Sequence, residues 1–147
     1  MKRGGESAMQ VNLIRYGLIW MAASVGMMLL GLLLAQFGVG MPAGLATVLP
    51  PMVAAVMEGM RIAQATREPL AGKAAWRNAA AMTGVVAVLT IVQLPLYWNN
   101  PVIVEARQTI PLVFLAGIFV LLLAVILMVN RLFLGHGIKL GLKRLEE

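Results

Sequence analysis

The sequence predicts an all-α integral membrane protein, a bundle of four transmembrane helices arranged as two hairpins, with both termini in the cytoplasm. The composition, 61% hydrophobic and 12% charged, lies outside the range of soluble domains. Four apolar runs are each long enough to cross a hydrocarbon layer of about 30 Å. Backbone groups in hydrocarbon must be satisfied within their own segment, which favours helices. The positive charges gather on one side of the spans, which orients them.

The chain is predicted to form a single membrane domain of eight consecutive segments. These are a cytoplasmic arm (1–15), a first span (16–39), a second span (42–59), a cytoplasmic elbow (60–78), a third span (79–98), an outer interfacial segment (99–109), a fourth span (110–130) and a cytoplasmic amphipathic tail (131–147). An apolar run follows the first span at once. This argues against a signal peptide, which would lead into a polar mature chain.

The orientation follows from the lysines and arginines, because cationic loops stay on the cytoplasmic side. Eleven of the twelve fall in the arm, the elbow and the tail, and only Arg107 lies on the other side. They are Lys2, Arg3, Arg15, Arg61, Arg67, Lys73, Arg77, Arg131, Lys139, Lys143 and Arg144.

Short helices are predicted beside the spans. Ser7 and Gln10 have the spacing of a capping box, which predicts a helical lead-in to the first span. Pro69 should end the second helix in the elbow, followed by a short helix that carries Trp76. Asn100 and Pro101 supply a cap and a first-turn residue for a short outer helix ending near residue 108.

The tail over 131–147 is predicted to be amphipathic and helical, and 135–137 is interpreted as a break in the helix. Leu134, Ile138, Leu142 and Leu145 recur at helical spacing, with charged residues on the other faces. Such a helix either lies on the membrane surface or docks a partner. His136, in the break, is interpreted as an ordinary polar residue. The residues expected to contact lipid or a partner are Arg67, Lys73, Trp76, Arg77, Leu142, Lys143, Arg144 and Leu145.

Glu58 is the only carboxylate near a span, and ionisable residues in membrane helices are candidate functional groups because their burial is costly. Its predicted position is close to the cytoplasmic edge. Arg61 follows three residues later, on the same helical face. A structural ion pair between Glu58 and Arg61 is therefore the favoured interpretation, and a proton or substrate site is the alternative.

Pro50 and Pro51 stand in the middle of the second span, where they leave two carbonyl groups without helical donors. A kink or partial unwinding is expected there, either for packing or as part of an ion site of the kind that broken helices line in transporters. Gln36 and Gln93, in the outer halves of the first and third spans, are candidates for hydrogen bonds between helices.

Pairs of small residues four apart would let helix backbones approach closely. Three such pairs occur in the spans: Ala22 with Gly26, Ala55 with Gly59, and Ala80 with Gly84. They predict helix contacts without saying which helices meet.

Several function classes find no support. The chain has no cysteine, which removes disulfides, thiolate metal sites and iron–sulfur clusters. No catalytic set, cofactor motif or metal cluster is recognised. The net charge of +6 lies beside the spans and indicates attraction to anionic lipid headgroups, not to nucleic acid.

The segment from Met52 to Asn78 resembles a small, uncharacterised family of bacterial inner-membrane proteins with four spans. The matching residues are Gly59, Arg67, Glu68, Pro69 and Trp76. The resemblance implies a bacterial inner-membrane location and no known activity.

The expected function is that of a non-catalytic accessory subunit, or an assembly or stabilising factor, of a larger bacterial membrane complex. Its partners would be the lipid bilayer, anionic headgroups and other membrane subunits. The alternative is a small oligomeric transporter or channel, coupled to ions or protons, that uses Glu58 and the helix break at Pro50 and Pro51.

Overall fold

The computed structural model describes residues 10–147, and over this range the protein is helical without any strand. Four of its five helices are long and apolar enough to cross a membrane, which confirms the all-α class and the four predicted spans; the cytoplasmic position of the termini stays a prediction. The helices are α1 (Leu13–Gln36), α2 (Ala43–Thr66), α3 (Gly72–Tyr97), α4 (Pro101–Thr109) and α5 (Leu112–Glu146).

Helix α1 begins at Leu13 because Asn12 caps it: the Asn12 side chain accepts a hydrogen bond from the backbone N–H of Arg15 at 3.0 Å. Gln10 and Val11 precede the cap and are not helical. The expected helical lead-in therefore does not run into α1. Ser7, the other half of the predicted capping box, lies outside the described residues.

The turn after α1 is a Schellman motif. The N–H of Val39 donates to the carbonyl of Leu34 at 3.0 Å, and that of Gly38 donates to the carbonyl of Ala35 at 3.1 Å. Gly38 has a φ of 71°, a conformation that glycine adopts without steric cost. This glycine fixes where the first span ends.

Helix α2 passes through Pro50 and Pro51 without interruption, so the helix does not unwind there, and the kink that was the favoured alternative stays a prediction. Both side chains are fully buried. The helix ends at Thr66 and is capped by Arg67, which has a left-handed conformation and whose N–H donates to the carbonyl of Ala63 at 2.8 Å.

The second helix extends beyond residue 59 and ends before Pro69. Helix α2 continues to Thr66 and α3 begins at Gly72, so only residues 67–71 connect them. Trp76 lies in the second turn of α3 itself and not in a separate short helix. The polar residues of the predicted elbow are mostly helix extensions, since Lys, Arg, Gln and Ala are good helix formers outside the membrane as well.

Helix α5 corrects the predicted tail. It is one helix of 35 residues, about 53 Å at 1.5 Å per residue, and it continues through 135–137 without the expected break. Leu134 and Ile138 are buried, because α5 packs along α2, its most extensive contact. Much of the apolar face predicted to lie on the membrane surface is thus covered by the protein's own helix.

Burial divides the bundle into two halves. Every buried residue among those described falls in 11–20, 50–63, 75–86 or 126–141, which we call the closed half. None of the described residues in 21–49 or 87–125, which we call the open half, is buried. The closed half holds the start of α1, the ends of α2 and α5 and the start of α3.

Candidate functional site

The carboxylate of Glu58 is completely buried in the closed half and is bound by the start of α1. Arg15 contacts it with two nitrogens: Nε lies 2.5 Å from Oε1 and Nη2 lies 2.8 Å from Oε2. The backbone N–H of Asn12 donates a third hydrogen bond to Oε2 at 3.2 Å. A forked arginine–carboxylate pair is among the strongest polar contacts in proteins, and here it joins α1 to α2.

The cap of α1 places these donors. While the Asn12 side chain holds the first turn of α1, its backbone N–H remains free to point at Glu58. The positive end of the helix dipole also favours a carboxylate at this position. Asn12 therefore caps the helix with its side chain and donates a hydrogen bond to Glu58 with its backbone N–H.

A second set of polar groups, which we call the polar relay, crosses α1, α5 and α3 in one direction. The hydroxyl of Tyr16 donates to Oδ1 of Asn130 at 2.9 Å, and Nδ2 of Asn130 donates to Oγ1 of Thr83 at 3.2 Å. Thr83 in turn donates to the carbonyl of Ala79 at 2.9 Å. Tyr16 and Asn130 are fully buried. The polar relay ends on a backbone carbonyl, so its hydroxyl protons are all engaged.

Glycines bring α2 and α5 into backbone contact. A Cβ placed on Gly59 would collide with the carbonyl of Leu134, and one on Gly137 would collide with the carbonyl of Val56. A Cβ on Gly141 would come within 2.9 Å of the carbonyl of Met60. We call Gly59, Gly137 and Gly141 the glycine seam. The small residues let the two helices meet more closely than larger side chains allow.

The predicted polar site does not assemble as expected. Glu58 pairs with Arg15, whereas the side chain of Arg61 is exposed, so the expected pair between Glu58 and Arg61 is wrong. Spacing on one helix face made Arg61 a plausible partner, but tertiary packing brings Arg15 closer. Gln36 is exposed and Gln93 half-buried, both in the open half, and neither hydrogen-bonds to Glu58 in the described chain.

The residues expected to contact lipid or a partner lie in the elbow, at the start of α3 and near the end of α5. Arg67, Lys73, Trp76, Arg77, Lys143, Arg144 and Leu145 are exposed there, and Leu142 is half-buried. His136 is exposed on the continuous helix α5. The exposed cations among them lie in and after the elbow, on the first turns of α3 and near the end of α5.

Of the predicted small-residue pairs, only Ala55 with Gly59 is used inside the protein. A Cβ added to Gly26 or Gly84 would meet nothing within 4 Å, and Ala22 and Ala80 are exposed. These two pairs lie on helix faces that no other described part of the chain covers.

Sequence reasoning missed most of the buried polar set. Arg15 was counted only for topology, and Tyr16, Thr83 and Asn130 were not singled out. A usable signal existed for Asn130, the only amide within the long apolar stretch of the fourth span. The four-residue spacing of Gly137 and Gly141 was a second usable signal.

The chemistry available in the described residues is limited. Residues 10–147 contain no group of three or more His, Cys, Asp or Glu side chains that could hold a metal ion. The buried side chains of Glu58, Tyr16 and Asn130 all bind groups on other helices. This arrangement joins helices.

Comparisons with known proteins give no further assignment, and the resemblance of the 52–78 segment to a bacterial four-span family stays a prediction. No protein-family model, characterised protein or solved structure matches this chain.

Proposed function

We infer that this protein is a non-catalytic accessory subunit, or an assembly or stabilising factor, of a larger membrane complex. One observation carries this proposal: Glu58 and the polar relay are bound within the chain, while no other described part of the chain covers two small-residue faces. The first face, on α1, contains Ala22 and Gly26, and the second, on α3, contains Ala80 and Gly84.

Exposed leucines are no argument for a partner, because lipid solvates them as well as protein does. Small residues differ, since they favour close approach of another helix backbone. This chain uses that packing mode in its own interior, where Ala55 and Gly59 are buried and Gly59 meets α5. The same spacing on the uncovered faces supports contact with helices of another subunit.

The proposed location is a bacterial inner membrane with both termini in the cytoplasm. The distribution of lysines and arginines supports this orientation. It would place the closed half, the elbow and the end of α5 toward the cytoplasm, and α4 at the outer surface.

Purification from native membranes in mild detergent tests the proposal. The chain is expected to elute with other membrane proteins, and Gly26→Leu and Gly84→Leu are expected to reduce their recovery. Gly117→Leu is the matched control, because Gly117 is also exposed, with nothing within 4 Å, but has Val113 and Leu121 four residues away. A chain that elutes alone, or equal losses for all three variants, would overturn the proposal.

The second candidate is a small oligomeric transporter or channel. One observation favours it: Glu58 is completely buried and lies two turns after Pro51 on α2. Proton flux in liposomes that falls in Glu58→Gln, with Arg61→Gln as the control, is the expected signature. Absence of flux from the purified protein would exclude this candidate.

A further inference from the structure

A cavity of about 440 Å³ lies between the elbow and α5. Pro69 and Leu70 form its elbow side, and Arg131, Leu132, His136 and Lys139 are among the α5 residues that line it. The cavity thus combines apolar walls with three nitrogen-bearing side chains.

The charged side chains that line this cavity all carry positive charge. Arg131 and Lys139 lie about two helical turns apart on α5, with His136 between them. None of the described residues that line the cavity is a carboxylate. A cationic wall without an internal counter-charge favours an anion.

Arg131 is held in place without an anionic partner from the described chain. Its guanidinium carbon lies 5.7 Å from the centre of the Trp76 ring, a cation–π distance. Its Nε is buried and has no hydrogen-bond partner among the described residues. A guanidinium without an anionic partner can donate charge-assisted hydrogen bonds to a phosphate oxygen through its terminal nitrogens.

The surface beside the cavity fits an acyl chain. Arg131 is the first charged residue after the apolar run of α5. Leu132 lines the cavity and is exposed, and Met128 and Val125 continue its helical face into that run, also exposed. A cavity lined by cationic side chains therefore leads directly to an apolar strip.

We propose that this cavity binds the headgroup phosphate of an anionic phospholipid, with an acyl chain along Leu132, Met128 and Val125. Arg131 and Lys139 bind the phosphate, and Trp76 positions Arg131. This differs from diffuse attraction to the exposed cations, because it assigns one site with two specific ligands. It does not depend on the presence of a partner protein.

Native mass spectrometry of the full chain, titrated with phosphatidylglycerol, tests this site. Phosphatidylglycerol is expected to bind at least about tenfold more tightly than phosphatidylcholine, and inorganic phosphate is expected not to displace it. Arg131→Gln and Lys139→Gln are each expected to weaken binding about tenfold, as for loss of one charge-assisted hydrogen bond. Lys143→Gln, an exposed change of the same charge outside the cavity, is expected to change binding less than about twofold.

Four results would overturn the proposal. Equal weakening by Lys143→Gln would indicate diffuse attraction, and displacement by inorganic phosphate would indicate a free-anion site. Retention of an acidic protein segment that phosphatidylglycerol does not displace would assign the cavity to a protein partner. Lys139 is exposed, so Lys139→Gln should fold even if Arg131→Gln does not, and unchanged binding in Lys139→Gln would also contradict the proposal.

Discussion

The closed half of the bundle is held by polar pairs and backbone contact, whereas the open half presents apolar side chains on every helix. Glu58, Tyr16 and Asn130 are fully buried in the closed half. In the open half even large side chains such as Leu32 and Val113 are exposed, at 59% and 81%. Lipid explains the difference: it solvates leucine but offers no partner to a carboxylate or an amide.

Specificity of packing is therefore concentrated where the polar groups are. A carboxylate and an amide can be satisfied in only a few helix arrangements, so they select one. Apolar side chains in lipid select among arrangements weakly. Substitutions in the two halves should differ sharply in their effect on the free energy of unfolding.

The largest expected effect is that of Arg15→Gln. It leaves the Glu58 carboxylate buried without its cation, and loss of one partner of a buried pair costs about 3–5 kcal/mol. Glu58→Gln should cost less, because the Arg15 side chain is 34% exposed and can turn toward solvent. Unfolding in mixed micelles measures both. Arg61→Gln is the control, and a cost equal to that of Arg15→Gln would restore the pair expected from the sequence.

The next effect is expected in the glycine seam. Gly137→Ala forces its Cβ against the carbonyl of Val56, so α2 and α5 must separate, at a cost of about 1–3 kcal/mol. Gly117→Ala, on the same helix in the open half, should be neutral or slightly stabilising, because alanine is the better helix former. Thermal unfolding in detergent distinguishes the two, and equal behaviour would contradict the backbone contact.

A smaller effect is expected from Tyr16→Phe. It removes the donor to Asn130 and should cost about 1 kcal/mol, in the range of hydrogen bonds between membrane helices. The chain has two tyrosines, and Tyr97→Phe in the open half is the matched control. Identical unfolding free energies for the two variants would show that the polar relay contributes nothing to stability.

The smallest effect is expected from Leu32→Ala, which should change the free energy of unfolding by less than about 0.5 kcal/mol. The same substitution at Leu134, which is fully buried, should cost about 2–5 kcal/mol. If Leu32→Ala cost as much as Leu134→Ala in native membranes but not in detergent, a partner protein would contact α1 at Leu32 in the membrane.

Part of the candidate site could be predicted from the sequence. Glu58 can be recognised as the carboxylate nearest a span, because a single charged residue beside an apolar run is a local feature of the sequence. Its partner does not, because Arg15 is 43 residues away and only the docking of α1 on α2 brings the two together. The prediction for the tail was wrong for a related reason. An amphipathic pattern shows that one face of a helix is covered, but it does not show whether lipid, a partner or another helix of the same chain covers it.

The sequence alone determined that the chain forms four long apolar helices, because hydrocarbon forces each backbone to satisfy itself within its own segment. The structure places the ends of α1 at Asn12 and Gly38, where local capping chemistry is enough to stop the helix, although the sequence analysis singled out neither residue. Only the tertiary structure decided which polar groups pair, which glycines meet a backbone, and that one half of the bundle is closed. These features depend on contacts between residues far apart in the chain, and the free energy of such contacts cannot be inferred from the local sequence.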